Sequence, residues 1–201
     1  SGEKEGLHPV VAIGLGAALL AHGAILLSLP PVLLQRGAPF LPTALKGLNV
    51  MFQELKKQPI IANKTRPLNF VDLGSGDGRV VFRAAREGLF TKSIGYEINP
   101  VLHGWAHFRR AVQAPKYWST TSFHMQNLWS VDLSTADVIA VYGLHPIMGK
   151  LGKKMEKELK PGSIVVSNVF TIPGWKPIHG SRDRVHFYSI PESILSNRRI
   201  K

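Results

Sequence analysis

Apolar and polar positions along this chain fall into three regimes. Residues 9–29 (P-V-V-A-I-G-L-G-A-A-L-L-A-H-G-A-I-L-L-S-L) carry no charged side chain at all. Residues 43–57 place Leu45, Leu48, Phe52 and Leu55 on one helical stripe, with Thr43 as the expected N-cap and the helix expected near the mouth of the site described below. From residue 69 onward, short apolar runs alternate with amphipathic stretches. Residues 70–73 read as a buried strand and 79–86 as a helix with Val80, Val81, Ala84 and Ala85 on one side. Ile94 and Tyr96 mark a second strand, 101–112 a second helix, 121–125 a third strand and 136–142 a fourth. A basic helix over 150–160 stops at Pro161-Gly162, a fifth strand covers 164–170, and a late strand covers 184–190. Strands alternating with helices predict an α/β fold around a parallel sheet.

The span and the charge set the surroundings. At about 1.5 Å per residue, 9–29 covers the roughly 30 Å hydrocarbon core of a bilayer, so a transmembrane helix is expected there. A signal peptide fits poorly, because no basic segment precedes a long apolar run. A helix buried at a protein interface is the other alternative. Lys4 is offset by Glu3 and Glu5, whereas Arg36, Lys46, Lys56 and Lys57 follow the span, which places the following domain on the cytoplasmic or matrix side. The resulting division is an N-terminal segment 1–8, the span 9–29, a proline-rich connector 30–42, a globular domain 43–190 and a basic tail 191–201. The net charge of +12 favours an anionic lipid surface, RNA or an acidic protein face as partner. The absence of cysteine excludes a disulfide scaffold, thiolate zinc sites and thiol catalysis.

Candidate chemistry concentrates in residues 69–79, N-F-V-D-L-G-S-G-D-G-R. A strand, a glycine turn and a helix start present free backbone N–H groups to a ligand. The spacing is not that of a dinucleotide fingerprint, since Arg79 stands where the third glycine belongs, and no Gly-Lys-Ser/Thr follows for a P-loop. Asp72, two residues before the first glycine, repels a pyrophosphate and suits a ligand bearing an ammonium group. Glu97 closes the second strand where doubly wound nucleotide sites place the acceptor for ribose hydroxyls. Asn99-Pro100 after it is a helix start. His103 and His107 have helical metal-ligand spacing but no acidic third ligand nearby, so no metal is expected.

The run D-x-G-x-G-x-G at 72–78 resembles motif I of class I S-adenosylmethionine-dependent methyltransferases. Together with G-Y-E-I-N-P at 95–100, N-L-W at 127–129, the Gly143 turn followed by K-K-M-E-K-E-L, and F-T-I-P-G-W at 170–175, the chain is similar to one small family. These are the mitochondrial protein-lysine methyltransferases that modify the adenine nucleotide translocase and the c subunit of ATP synthase. The resemblance implies a seven-stranded Rossmann-like methyltransferase sheet and S-adenosyl-L-methionine as cofactor. It implies cofactor contacts from Asp72, Gly74, Ser75, Gly76, Asp77, Gly78, Glu97, Ile98, Asn127 and Leu128. It also implies lysine methylation of a protein in the mitochondrial inner membrane, with the catalytic domain facing the matrix. Asn127 stands where the family tends to carry Asp, and Leu144-His145-Pro146 where a Pro-Gln pair is expected. Tyr142 and His145 are the candidate catalytic residues, and Trp129 with Trp175 the candidate aromatic walls of a lysine channel. Two alternatives stay open: a non-catalytic, membrane-anchored subunit of a respiratory or ATP synthase complex, and an RNA methyltransferase, disfavoured by the lack of an N-P-P-Y-type motif.

Overall fold

The computed structural model describes residues 44–113, 115–143, 145–178 and 184–194. The apolar span 9–29, the connector and Thr43 lie outside the described residues; among those residues no helix is long and apolar enough to cross a membrane.

Helix α1 (Leu45–Lys57) and a single turn α2 (Pro59–Ala62) lead into β1 (Asn69–Leu73), α3 (Arg79–Glu87) and β2 (Lys92–Glu97). There follow α4 (Pro100–Gln113), β3 (Thr121–Met125), β4 (Val138–Val141), α5 (His145–Glu158), β5 (Ile164–Asn168) and β6 (Val185–Ser189). Short 3-10 turns at Pro115–Tyr117 and Leu128–Ser130 flank β3. The strands order as β3-β2-β1-β4-β5-β6, with β6 antiparallel to β5 and every other pairing parallel. Six strands are therefore described where the family pattern implies seven. Between β5 and β6 the chain runs through Pro173-Gly174 and Pro177, and just past them Ile178 N donates to Phe187 O of β6 at 2.7 Å.

Strand reversal from β1 to β4 sets the site. Chain connections leave β1 toward β2 and β3 on one side and toward β4 and β5 on the other, which opens a crevice at the carboxyl ends of β1 and β4. The central strands are apolar on both faces, as a doubly covered parallel sheet requires. One face buries Phe52, Leu55, Phe70, Val80, Ala84 and Phe187; the other buries Leu73, Ile139, Leu151, Met155, Trp175 and Tyr188. Helix α1 is thus a core helix, with Leu48, Met51, Phe52 and Leu55 inward, and Ala44 occupies its cap position without a side-chain bond.

Helix α5 starts at His145, five residues ahead of the sequence expectation. Pro146 falls in its first turn, where the backbone N–H groups have no intrahelical partner, so proline ends nothing there.

At the opposite end of the sheet, buried Asp137 ties the amino ends of β1 and β4 together. Its carboxylate accepts from Asn69 N at 2.7 Å and from Arg66 Nη2 at 2.6 Å, and Lys160 Nζ stands 2.8 Å away. Burial raises its pKa, but the bonds from Arg66, Lys160 and the Asn69 amide outweigh that and hold the group below the usual carboxylate range. A lowered folded pKa contributes stability that is complete above the unfolded value and is lost as pH falls through the folded one. Asp137→Asn should cost about 1–3 kcal/mol in urea denaturation at neutral pH, given that both cations keep solvent contact. The gap between variant and wild type should close as the pH is taken below the carboxylate range.

Candidate functional site

The glycine loop is built by backbone geometry that only glycine adopts without strain. Gly74, Gly76 and Gly78 take φ of 82°, 53° and 78°. Gly74 N and Ser75 N donate to Tyr96 O at 2.9 and 3.0 Å, carrying the hydrogen bonding of β1 and β2 past the end of the strand. Gly76 N then donates to Glu97 Oε2 at 2.8 Å, while Asn99 N donates to Glu97 Oε1 at 2.8 Å. One carboxylate thereby fastens the loop to the end of β2. Asn99 Oδ1 caps α4 by accepting from Val101 N at 2.9 Å and Leu102 N at 3.3 Å, as its position before Pro100 leads one to expect. Gly95, in β2 beside Asp72, is needed for another reason: a Cβ there would sit 2.7 Å from Ser75 Oγ.

Three carboxylates share this small volume, and the fold treats each differently. Asp77 is neutralised: its Oδ2 lies 2.9 Å from Arg79 Nη2 and 2.7 Å from Arg109 Nη1, and Arg109 also donates to Asp77 O at 2.9 Å. Glu97 is pushed up by burial, with the backbone N–H groups of Asn99, Gly76 and Ile98 pulling the other way. Asp72 receives no such relief. Among the described residues no ion pair includes it, and burial, then Glu97, then Asp77 push its pKa up to about 8.

The remaining residues of interest gather at the same edge of the sheet. Val141 pairs with Leu73, so half-buried Tyr142 follows β4 at the level where β1 enters the glycine loop. His145 opens α5 as an exposed residue. Met125 pairs with Glu97, which brings Asn127 and Leu128 beyond β3 to that edge, and Ile98 directly follows Glu97. The Asn127 amide oxygen caps the Leu128–Ser130 turn, accepting from Trp129 N at 3.1 Å. Of the two candidate aromatic walls, only Trp129 remains open. Its ring is half-buried, with Lys150 Nζ 4.6 Å from the centroid. Trp175 is 6% exposed, meets Tyr188 edge to face and donates Nε1–H to Glu156 at 2.8 Å, so it belongs to the core and not to a lysine channel. A hollow lined by Gln58, Ile164, Lys176 and Ser193 lies at the amino ends of the strands, away from the carboxylates.

Arg109 escapes a reading of the sequence, because nothing local says that the tenth residue of α4 reaches a loop thirty-two positions earlier. Gly95 is legible only as a small residue in a strand.

The donor set fits an ammonium-bearing nucleoside. A buried carboxylate without a cation suits one, the Glu97 carboxylate keeps acceptor capacity beyond its backbone donors, and nothing lies within 4 Å of a Cβ built on Gly74. A family model described as the ANTKMT methyltransferase domain matches residues 72–179, more than half of the chain. The chain belongs to this methyltransferase family. It is 33% identical over 164 residues to the lysine N-methyltransferase of the ATP synthase c subunit from Mus musculus, covering 82% of this chain and 62% of the relative. It is 37% identical over 130 residues to the adenine nucleotide translocase lysine N-methyltransferase of Mus musculus, covering 62% of this chain and 55% of that one. The chain thus spans roughly 60% of the length of these relatives. Among solved structures, an RNA methyltransferase from Salinibacter ruber in complex with S-adenosyl-L-homocysteine superposes with a TM-score of 0.64 at 30% identity, covering 76% of this chain and 95% of that one.

Within this methyltransferase fold, the raised pKa of Asp72 is a stability statement. The folded chain holds a proton that the unfolded chain gives up between about pH 4 and pH 8, so this group's contribution is fully present below the unfolded value and is lost as pH rises through the folded one. Asp72→Asn, which has no charge to lose, should melt at a higher temperature than wild type at pH 8–9, with the difference vanishing near pH 4. Thermal denaturation of the ligand-free protein across that range checks it.

Proposed function

We propose that this chain is an S-adenosylmethionine-dependent protein-lysine N-methyltransferase acting on a membrane protein of the mitochondrial inner membrane, of the ATP synthase c subunit or adenine nucleotide translocase type. The observation that carries the cofactor is Asp72, buried without a cation beside a Glu97 carboxylate that the glycine loop holds in place. The relatives' names carry the substrate class. When bound, the cofactor supplies a methyl group activated by a sulfonium.

The chain's own residues divide the work. Asp72 pairs with the cofactor's α-ammonium, and Glu97 accepts from the two ribose hydroxyls. Gly74, Ser75, Gly76 and Gly78 let the backbone approach closely, with Asp77 holding the loop through its two arginines. Ile98, Asn127 and Leu128 border the adenine. Tyr142 orients the substrate amine at the end of β4, and exposed His145 passes its proton to solvent. Alignment and exclusion of water supply most of the acceleration. The apolar residues 9–29 serve as a single-pass anchor, with residues 43–190 facing the matrix.

A second reading, RNA methylation, is favoured by the net charge of +12 and by the RNA methyltransferase activity named for the Salinibacter neighbour. Incubating the protein with labelled cofactor and either inner-membrane protein or total RNA separates the two. Label should appear on a lysine of a small membrane protein by mass spectrometry; label on RNA alone would replace the protein reading. Cofactor bound without label on either substrate would leave only the anchored, non-catalytic role.

Glu97→Gln keeps one acceptor oxygen but sets its NH2 group against a backbone N–H, so it should weaken S-adenosylmethionine binding by about a hundredfold and also lower the melting temperature of the ligand-free protein. Glu97→Ala should abolish binding. Calorimetry showing wild-type affinity in the glutamine variant would overturn the ribose assignment. In the wild type, affinity should rise with pH toward about 8, because Asp72 must release its proton to meet the ammonium.

A further inference from the structure

Residues 98–131 contain no Asp or Glu, although they carry Arg109, Arg110 and Lys116. The same run holds six of the eight large apolar side chains that are exposed among the described residues: Val101, Trp105, Phe108, Val112, Trp118 and Met125, the other two being Leu45 and Ile178. Four of the six repeat at intervals of four, three and four along α4, which is one straight stripe on a helix about 21 Å long. Trp105 and Phe108 are 52% and 54% exposed, and their rings stack with centroids 5.3 Å apart. Trp118 joins the end of this face by donating Nε1–H to Arg110 O at 2.9 Å. The inward side of the same helix is ordinary core, with Leu102 and Ala106 buried. The outward stripe is therefore a second apolar face on a helix that has already used its first.

We propose that this face of α4, with Trp118 and Met125 beside it, seats on the surface of an anionic phospholipid bilayer, so that α4 lies in the headgroup plane next to the cofactor site. Three observations favour lipid over other occupants. Aliphatic Val101, Val112 and Met125 are interleaved with the aromatics, which suits acyl chains; a nucleic-acid platform needs stacking rings and a track of cations. The cations present are few and sit beside aromatic rings: Arg110 lies 5.5 Å over Trp118 and Lys116 Nζ 4.9 Å over Tyr117. Tryptophan paired with a basic group is the usual composition at a headgroup boundary. The lack of any acid across the run removes the charge that anionic headgroups would repel. The face also reaches the site: Val101 is in the first turn after Asn99, and Met125 pairs with Glu97. The proposal does not depend on the substrate or on catalysis.

The cysteine-free sequence permits a direct test on the full chain. Phe108→Cys, carrying an environment-sensitive nitrobenzoxadiazole label, is compared with Lys153→Cys, whose position on α5 is exposed. Vesicles of phosphatidylcholine with phosphatidylglycerol should raise emission several-fold at position 108 and leave position 153 unchanged; adding Trp105→Ser should diminish the rise. Because residues 9–29 are expected to bring the chain to vesicles on their own, the signal at 108 and not binding itself is the readout. Vesicle-bound protein whose label at 108 reports water as 153 does would overturn the proposal. So would a rise without vesicles that grows with protein concentration, marking a second copy, or one produced by an oligoribonucleotide. No cofactor is added, so failure here leaves the methyltransferase reading standing, and failure of that reading leaves this one.

Discussion

The Glu97 carboxylate is the joint on which the site depends. It takes the Gly76 N–H with one oxygen and the Asn99 N–H with the other, so a single side chain fixes the glycine loop and the turn into α4. Loop amides that point at a ligand are orphan donors until it arrives, and a charged acceptor beneath one of them keeps the loop open without filling it. The arrangement has a cost. Holding Glu97 there sets a second carboxylate near Asp72, and like charges in a buried site cannot both ionise freely. The chain limits the damage by drawing Asp77 away onto Arg79 and Arg109. Without those two arginines a third unshielded charge would face Asp72.

Arg109 also links the site to the outer surface. It projects from α4 one turn after Trp105, on the flank between the outer stripe and buried Ala106, and it grips both the carboxylate and the carbonyl oxygen of Asp77. A helix is stiff over fourteen residues, so whatever holds the outer stripe also holds the arginine's root. The loop that shapes the cofactor pocket and the face that meets the surroundings therefore share one rigid body.

How much of this can be read in advance follows from how local each signal is. The strand–glycine–helix unit, Glu97 at the end of β2 and the Asn99 cap are legible because each is set by residues a few positions apart. The start of α5 is misplaced by a sequence reading because His145-Pro146 resembles a loop, although proline in a first turn breaks no hydrogen bond. Trp175 misleads for a different reason. A tryptophan between proline, glycine and lysine reads as exposed, and only the distant Tyr188 and Glu156 show that it is enclosed. The Arg109 clamp and the closeness of Gly95 to Ser75 depend on contacts across the sheet, which no local pattern records. In the sequence, α4 reads only as a helix; its charge-free outer stripe becomes a feature once Leu102, Ala106, His107 and Arg109 are seen to make the inward contacts.

Charge distribution gives these parts a common logic on the proposed reading. The cofactor brings an ammonium and a sulfonium, and a chain of net charge +12 would repel both were its acids spread evenly. Instead Asp72 and Glu97 are buried together under the loop, where burial raises both pKa values and a bound cation would favour their charged forms. The substrate amine needs the opposite field, since a lysine must lose its proton before it can attack, and nearby positive charge lowers its pKa. Lys150, whose Nζ lies 4.6 Å from the Trp129 ring centroid at the edge of the site, is placed to supply such charge, whereas Lys154 further along α5 is already paired with Glu158 at 2.7 Å. On that reading, negative charge beneath the loop would hold one cation, and the Lys150 charge beside Trp129 would favour loss of a proton from the other.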